Sequence, residues 1–585
     1  MKKNIIILAA SAAMSLLPFL ASAQNLDPTV EVNRAYEGKL MEVHKPELQM
    51  AVPDSIRTFD LDFDYSVFEN PYKGSYDFTP YQLMMRPLSA DRDFKSFWLK
   101  AGAGYTLYPE LGMVWTPGFK GKFKMNVYAD YNAYFGPYRQ FQPFAEDNHI
   151  WLRRWQSRDR SSSTWNGWRM KTRAGVDGRV DLKKNVIAFD LAYLGIASKD
   201  TLVRRAYDAF DMSVNVASRP SGNDYFMYDI SAGYRFGEDK GRYEFAEDYL
   251  SENLFRFDAS MGPVIDGSHK VLFDVGLDVY SYSYSGKLDA VATELSITPH
   301  YVFNKDRWNV DLGLTVAKIL CPEGSVHYTG HEQVAFPDIN VTYAAIPDAM
   351  SVYGRIGGGN RMNSYSALLE RNPFMKTSSG PDGLMLHNSM ERISFAIGAD
   401  GRISRRFTYD VNAGFANYGN ALMDGVRFTG DPGTGRGCEH FYGYDSYSKL
   451  YVAADWNWHA ESISFDGSVE YARYFGNTVA GLFLPASLTG FAAFEYNWNR
   501  RLFVGVDCRF ASARKGSIAA LGSDGLVFDA TIPGFADLGL SVEYAPNRKL
   551  SYWLRGGNLM NATIQHTPLY AENGINFTAG ICLKL

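Results

Sequence analysis

The end of the chain, residues 575–585, alternates strictly between apolar and polar side chains. Successive residues of a β-strand point to opposite faces, so this pattern predicts a strand with one apolar and one polar side. Because the pattern reaches the last residue, we expect the strand to close a transmembrane β-barrel against its first strand. The residues expected to carry closure and assembly are those of the apolar face: Ile575, Phe577, Ile581, Leu583 and Leu585.

The same alternation recurs from about Phe97 onward, for example along 226–236, 271–279 and 463–471. A soluble β-sandwich would show it too. The connections distinguish the two folds. Every second connection is a short turn, such as Lys183-Lys184 or Asp266-Gly267, whereas those between are mostly long, including 138–165, 237–250, 321–332, 363–388, 421–445 and 514–533. Sorting of this kind is typical of outer-membrane barrels, whose long loops are extracellular.

The runs predict an all-β fold, a large antiparallel transmembrane barrel of about 22 strands (20 to 22) over residues 96–585. An even number places both chain ends in the periplasm. Tryptophans near strand ends are expected in the interfacial aromatic girdles. They are Trp98, Trp115, Trp151, Trp165, Trp168, Trp456 and Trp458.

Composition agrees with strands that show one face to lipid. Hydrophobic residues make up 46% of the chain, but the mean hydropathy is −0.23. Beyond the N-terminus there is no apolar run near the ~18 residues that a membrane helix requires. The net charge of −5 argues against a nucleic-acid partner, for which a basic surplus is expected.

Residues 1–23 have the pattern of a secretory signal peptide, with Lys2 and Lys3 before an apolar core and Ala21-Ser22-Ala23 as the cleavage site. Residues 24–95 are polar, contain scattered prolines and lack strand or helix periodicity. Two interpretations remain for this segment. It is either a solvated periplasmic linker or a lumenal segment that docks a partner in the barrel mouth.

The hairpin formed by Trp553–Asn561 (WLRGGNLMN) and Gly574–Gly580 (GINFTAG) resembles the C-terminal hairpin of TonB-dependent receptor barrels, particularly those of the Bacteroidota. The resemblance implies a 22-stranded barrel, solute uptake and an energy-coupling protein as partner. It also implies a plug domain ahead of the barrel, for which residues 24–95 are too few. Val30, Glu31 and Val32 resemble part of the family's N-terminal coupling segment.

Two functions follow from these patterns. The first is uptake of a solute through a barrel whose bore is closed by residues 24–95 or by another chain. The second is a structural role, in which a plugless barrel serves an assembly or secretion complex and binds surface lipoproteins or other outer-membrane proteins. The resemblance favours the first, and the missing plug favours the second.

A basic and aromatic stretch in the 138–165 loop is the candidate for outer contacts. Its residues Trp151, Arg153, Arg154 and Trp155 could bind an anionic or sugar-like ligand or a surface lipoprotein, or lie solvated beside lipid headgroups.

The sequence predicts no enzyme, no cofactor and no metal site. Cys321, His327, His331 and Glu332 lie close in sequence but match no zinc spacing. His387 and His440 have no partner that the sequence identifies. Cys508 on the lipid face and Cys582 on the lumen face should not pair, whereas the sequence leaves open a Cys321–Cys438 disulfide between outer loops.

Overall fold

In the computed structural model, the described residues are 96–585 except 120, 140, 147–148, 155–163, 202, 220–224, 244–246, 266–267, 285–287, 322–332, 376–385, 429–437, 477–478, 520–526 and 573. They belong to one unit of the chain. The predicted signal peptide (1–23), the 24–95 segment and Val30, Glu31 and Val32 lie outside them, as do Trp155, His327, His331 and Glu332.

Twenty-two strands form the wall of a closed antiparallel barrel. They are β1 (Phe97–Tyr105), β2 (Glu110–Trp115), β3 (Phe123–Arg139), β6 (Thr164–Asp181), β7 (Asn185–Lys199), β8 (Val203–Ser218), β9 (Phe226–Tyr243), β10 (Glu247–Pro263), β11 (His269–Tyr284), β12 (Leu288–Lys305), β13 (Trp308–Leu320), β14 (Ala335–Ile346), β15 (Met350–Met362), β16 (Asn388–Ile403), β17 (Phe407–Phe428), β18 (Cys438–His459), β19 (Ile463–Phe475), β21 (Leu488–Trp498), β22 (Leu502–Ala511), β25 (Phe535–Tyr544), β26 (Leu550–Gly557) and β28 (Asn576–Lys584).

Six short strands lie in the connections at the loop-rich end of the barrel. They are β4 (Phe141–Glu146), β5 (His149–Arg154), β20 (Leu482–Phe483), β23 (Arg514–Ala519), β24 (Val527–Ile532) and β27 (Ala571–Glu572). The helix α1 (Tyr365–Arg371) lies in the connection from β15 to β16. The described helical structure contains nothing both long and apolar enough to cross a membrane.

The first and last strands pair and close the ring. Ile581 lies opposite Ala101 and Leu583 opposite Leu99 in the antiparallel ladder of β28 and β1. Phe97 and Leu585 exchange two backbone hydrogen bonds, of 3.0 and 2.8 Å, at the end of this ladder. The strand count and the closed antiparallel wall predicted from the sequence are confirmed.

The wall has an apolar outer face and a polar inner face, because side chains alternate along every strand. On β11, for example, Phe273 is exposed on the outside while Tyr280 and Tyr282 are buried within the lumen. Glycines lie where large lumenal side chains cross a neighbouring strand. A Cβ on Gly102 would lie 2.3 Å from the Trp553 ring.

Several strands are longer than their alternation predicted. β17 and β18 continue through most of 421–445, and β9 and β10 through most of 237–250. These regions were predicted as loops. A ladder can continue beyond the lipid, but there its outward residues no longer need to be apolar, so the alternating signal fades while the strand persists.

One further expectation was wrong. Trp165 does not lie in an interfacial girdle, because its ring stacks on Tyr138 within the barrel, with centroids 4.5 Å apart. The Cys321–Cys438 pairing, which the sequence leaves open, does not form, because Cys321 is a free thiol, as are Cys508 and Cys582. Trp151 lies in β5, a strand of the loop-rich end and not of the wall.

Candidate functional site

The connection from β15 to β16 enters the lumen. Its part 363–375, called here the inner segment, contains α1. The Ser364 side chain caps this helix by accepting a hydrogen bond of 3.2 Å from the backbone N–H of Ala367. At the other end, the Asn372 backbone N–H bonds the Leu368 carbonyl over 2.9 Å. Sequence reasoning placed this stretch in an external loop, and the cap residue followed by a short apolar run was its only helical signal.

The apolar side of α1 packs on the lumenal face of one half of the wall. Tyr365 and Leu369 have no exposed surface, and Leu368 is 3% exposed. Their apolar cluster includes lumen-facing residues from β7 to β13, among them Leu194, Ile196, Tyr207, Leu250, Tyr282 and Ile319. Burying a side chain of this size stabilises the packed state by about 1.5–3 kcal/mol.

The start of the helix is also held by polar groups of the wall. Glu252, which is fully buried, accepts a 3.1 Å hydrogen bond from the Ser366 backbone N–H and one of 2.7 Å from the Tyr207 hydroxyl. Arg235 donates to the Ser366 hydroxyl over 2.9 Å. The Tyr365 hydroxyl donates to Asp239.

Beneath these contacts is a buried ion pair between β8 and β9. The nitrogen Nε of Arg205 lies 2.9 Å from an oxygen of Asp239, and the two side chains are 1% and 0% exposed. Charges taken out of water this completely require partners, since each ion alone would carry a penalty of several kcal/mol. Asp239 therefore connects the wall's ion pair to the Tyr365 hydroxyl of the inner segment.

The other end of the inner segment reaches β17 and β18, nearly opposite in the ring. Arg371 lies 3.6 Å from Asp424, and Asn372 is 2.8 Å from Nδ1 of His440. His440 uses its second nitrogen on Asp424 at 3.0 Å, and Arg514 of β23 lies 2.9 Å from the same carboxylate. Three cationic or hydrogen-bonding groups thus converge on one buried acid.

Contacts from β3, from β6 and from the loop before β27 complete the attachment. Glu370 forms a 2.7 Å ion pair with Lys171 of β6. The ring of Phe374 stacks on Tyr570 at 4.5 Å and meets Tyr138 edge-on at 5.4 Å. Because the inner segment contacts wall strands on opposite sides of the ring, it crosses the lumen near the loop-rich end.

A second structure covers the mouth next to the inner segment. The ladder of β16 and β17 ends at Asn420, and β17 shifts register against β18 between Tyr418 and Ala421. Beyond this bulge, the free edge of β17 pairs with β20, and the pairing continues through β23, β24 and β5 to β4. We call this the cap sheet. Its apolar core includes Ile150, Leu152, Val426, Phe483, Ile518 and Ile532.

The loop from β26 to β28 fastens the cap sheet to the seam side. Arg139, which is 1% exposed, donates to the carbonyl of Ala562 over 3.0 Å and to the side chains of Asn561 and Thr563. The Gln565 side chain donates to the Leu152 carbonyl over 3.1 Å. Loops remote in sequence therefore form one hydrogen-bonded lining around the lumen mouth.

The residues proposed from the sequence are distributed over two places. Ile575, Phe577, Ile581, Leu583 and Leu585 lie at the β28–β1 seam, where Phe577 and Ile581 are 49% and 44% exposed on the outer face. Trp151, Arg153 and Arg154 lie in β5 of the cap sheet, where Trp151 pairs with Thr531. The inner segment and its anchors at Asp239, Glu252 and Asp424 were missed.

Within the described residues, no group of three or more His, Cys, Asp or Glu side chains is arranged to hold a metal ion. The polar groups of the mouth instead bond one another. These polar groups of the mouth can exchange their mutual hydrogen bonds and ion pairs for contacts with a polar solute.

Comparison with known proteins supports the fold. No protein-family model and no curated protein matches the chain. Among solved structures, the FrpB iron transporter of Neisseria meningitidis matches with a TM-score of 0.59 and 11% identity, over 84% of this chain and 81% of that one. The siderophore receptor PirA of Acinetobacter baumannii gives 0.57 and 11%, over 84% and 80%. The copper transporter OprC gives 0.58 and 10%, over 84% and 80%. At this identity the likeness shows a shared barrel fold.

Proposed function

We propose that this protein is an outer-membrane barrel that takes part in solute uptake, and that the inner segment is the movable closure of its lumen. The apolar outer face of the wall supports a membrane location. The barrels named above as iron and copper transporters and as a siderophore receptor share its fold. Membership of the TonB-dependent receptors, in their Bacteroidota form, is part of this proposal.

The observation that carries the proposal is how the inner segment is held. It crosses the lumen and is fixed by side-chain contacts such as Glu252–Ser366 and Arg371–Asp424, not by a ladder to the wall. An individual hydrogen bond of this kind contributes about 0.5–1.5 kcal/mol net. A ligand that replaces several of these hydrogen bonds favours the state in which the inner segment is detached from the wall. The size of this effect is the difference between the ligand's binding free energies for the detached and attached states.

The orientation proposed places the loop-rich end outside the cell and both chain ends in the periplasm. Short turns at one end and long connections at the other support it. Dependence on an energy-coupling protein through Val30, Glu31 and Val32 is a prediction, as is closure of the periplasmic half of the lumen by residues 24–95 or another chain.

The structural role remains the weaker proposal, since none of the three barrels named above is named for assembly or secretion. Contact with a surface lipoprotein through Trp151, Arg153, Arg154 and Trp155 is likewise a prediction. A stoichiometric partner recovered with the detergent-solubilised barrel, together with normal growth of a strain lacking it on every nutrient, would favour that role.

A reversible lock tests the uptake proposal. In a background with the native cysteines replaced by alanine, Lys171→Cys and Glu370→Cys are joined by a reducible bismaleimide linker. A deletion strain carrying the wild-type gene is screened for a limiting nutrient whose use requires the protein. We expect the locked protein to fail on that nutrient and to recover after reduction, while each single-cysteine variant works throughout.

Two results would count against the proposal. Equal growth with the locked and unlocked proteins would show that the inner segment does not move during uptake. Growth independent of the gene on all nutrients tested would remove the uptake role itself.

A further inference from the structure

A cavity of about 300 Å³ opens at the rim of the barrel between the end of β19 and the cap sheet. Its lining includes Tyr471, Arg473, Pro485, Ser487 and Lys515. This volume is at the lower end of the range for small-molecule sites. The cavity is separate from the inner segment and is not needed for closure of the lumen.

The cavity belongs to the outer side of the barrel. In the ladder of β18 and β19, Tyr471 lies opposite Val452 and Arg473 opposite Leu450, so each pair shares a face. Val452 and Leu450 are 53% and 52% exposed and belong to the apolar outer surface. Arg473 therefore points away from the lumen. Lys515 follows Arg514, whose side chain faces inward to Asp424, so by strand alternation it points to the opposite side of β23.

The height of the cavity follows from the outer residues of β19. From the turn end, Ile463, Phe465 and Val469 are apolar, Tyr471 follows with 56% exposure, and Arg473 comes next. An apolar run ended by a tyrosine and then a cation is the order expected across the boundary from hydrocarbon to headgroups. The cavity is thus at headgroup level.

The described lining of the cavity carries positive charge without an acidic residue to balance it. Within the described part of the chain, neither Arg473 nor Lys515 has a carboxylate in ion-pair contact, and none of the described lining residues is acidic. Arg473 instead lies over the Phe475 ring at 5.3 Å. Two cations at a concave site, with the Ser487 and Tyr471 hydroxyls as further donors, suit a phosphoryl group, which offers several acceptor oxygens and negative charge.

We propose that this cavity binds the phosphoryl headgroup of a membrane lipid, with Arg473 and Lys515 supplying the charge and Tyr471 bordering the acyl region. A free phosphate-bearing solute offers the same chemistry. Position favours the lipid, because the cavity adjoins the apolar surface where a lipid's phosphate and acyl chain can both be accommodated. Basic pockets at membrane boundaries bind headgroups for this reason.

The test uses the full-length barrel in nanodiscs and native mass spectrometry of the released complex. Nanodiscs contain either phosphatidylglycerol or a neutral glycolipid with the same acyl chains. The variant Arg473→Gln/Lys515→Gln removes both charges. The matched control, Lys199→Gln/Lys318→Gln, removes two exposed cations near the loop ends of β7 and β13, outside the cavity.

We expect wild type and control to retain phosphatidylglycerol, and the cavity variant to retain it about tenfold less. Arg473→Lys/Lys515→Arg should keep most of the retention, since the charge is preserved. Equal retention by cavity variant and control, or equal retention of the neutral glycolipid by wild type, would overturn the proposal. Displacement of the lipid by millimolar inorganic phosphate would assign the site to free anions and overturn the lipid source.

The heat-dependent shift of the folded barrel on gels is measured in parallel. Both residues of the cavity are exposed, so the glutamine variant should keep this shift. Growth on the nutrient that reports uptake should also be unchanged, so failure of this proposal and failure of the uptake proposal give different results.

Discussion

Arg205 and Asp239 form a buried ion pair, with Nε and the carboxylate oxygen 2.9 Å apart, and Asp239 also accepts a hydrogen bond from the Tyr365 hydroxyl. The pair therefore joins two wall strands and the inner segment at one point. Any displacement of α1 must leave this carboxylate with one partner fewer.

Replacing Arg205 by leucine should destabilise the barrel by about 3–5 kcal/mol, because Asp239 remains as a buried charge without its cation. The double variant Arg205→Leu/Asp239→Leu should recover most of the loss. Urea unfolding in lipid vesicles, followed by tryptophan fluorescence, measures both. A double variant as unstable as the single one would mean that packing, not the stranded charge, causes the effect.

Leu369→Ala should loosen the inner segment specifically. A fully buried leucine reduced to alanine costs about 2–5 kcal/mol, and here the loss falls on the contact between α1 and the wall. We expect faster hydrogen exchange across 363–375 and more frequent channel openings in planar bilayers. Leu191→Ala, on the lipid-facing surface at 53% exposure, is the control and should leave conductance unchanged.

Asp424→Asn should release the other end of the inner segment. Arg371 and Arg514 would then face each other and His440 without their shared acid, so the attraction becomes repulsion. Conductance should rise, and the rise should shrink at high salt, since screening weakens the repulsion. Glu461→Gln, in an exposed turn at the opposite end, should have no such effect. A salt-independent rise would point to lost packing instead.

Leu583→Asp should block assembly. The substitution puts a carboxylate at the seam between β28 and β1, where Leu583 lies between Leu99 and Leu550. Charges on the lipid face destabilise membrane barrels in a depth-dependent way. Lys584→Asp changes the adjacent lumenal residue and should assemble. If the Leu583→Asp variant were found in outer-membrane fractions in normal amounts, an apolar residue at the seam would not be required for assembly.

The sequence was sufficient to predict the strands of the barrel wall, but not the structure that closes the lumen mouth. Alternation over the lipid-contacting part of each strand is imposed by the membrane and can be read directly, as along 271–279. The inner segment has no comparable periodicity. The position of the inner segment depends on partners such as Glu252 and Asp424, which are about fifty residues or more away in sequence and look like ordinary lumenal acids. The alternation along one strand carries no information about which residues of a distant segment its side chains contact.

The cap sheet was missed for a related reason. β20 and β27 are two residues long, and β23 and β24 pair with strands from other loops. Such pairing depends on where the barrel wall holds the ends of each loop. Trp151 was identified as an outer residue from its aromatic and basic neighbours, but its strand pairs with β24 in a sheet that no local signal predicts.

The strands at the seam are short, with nine residues each in β1 and β28 and eight in β26. At about 3.3 Å per residue and a tilt near 40°, nine residues rise about 23 Å, close to the ~25 Å apolar band of an outer-membrane barrel. The 22-residue strands β17 and β18 rise well beyond it. The closing ladder is therefore shielded from water mainly by hydrocarbon and has almost no length beyond it. A thinner bilayer would expose backbone hydrogen bonds of this joint that no further ladder reinforces, unlike those of the taller strands.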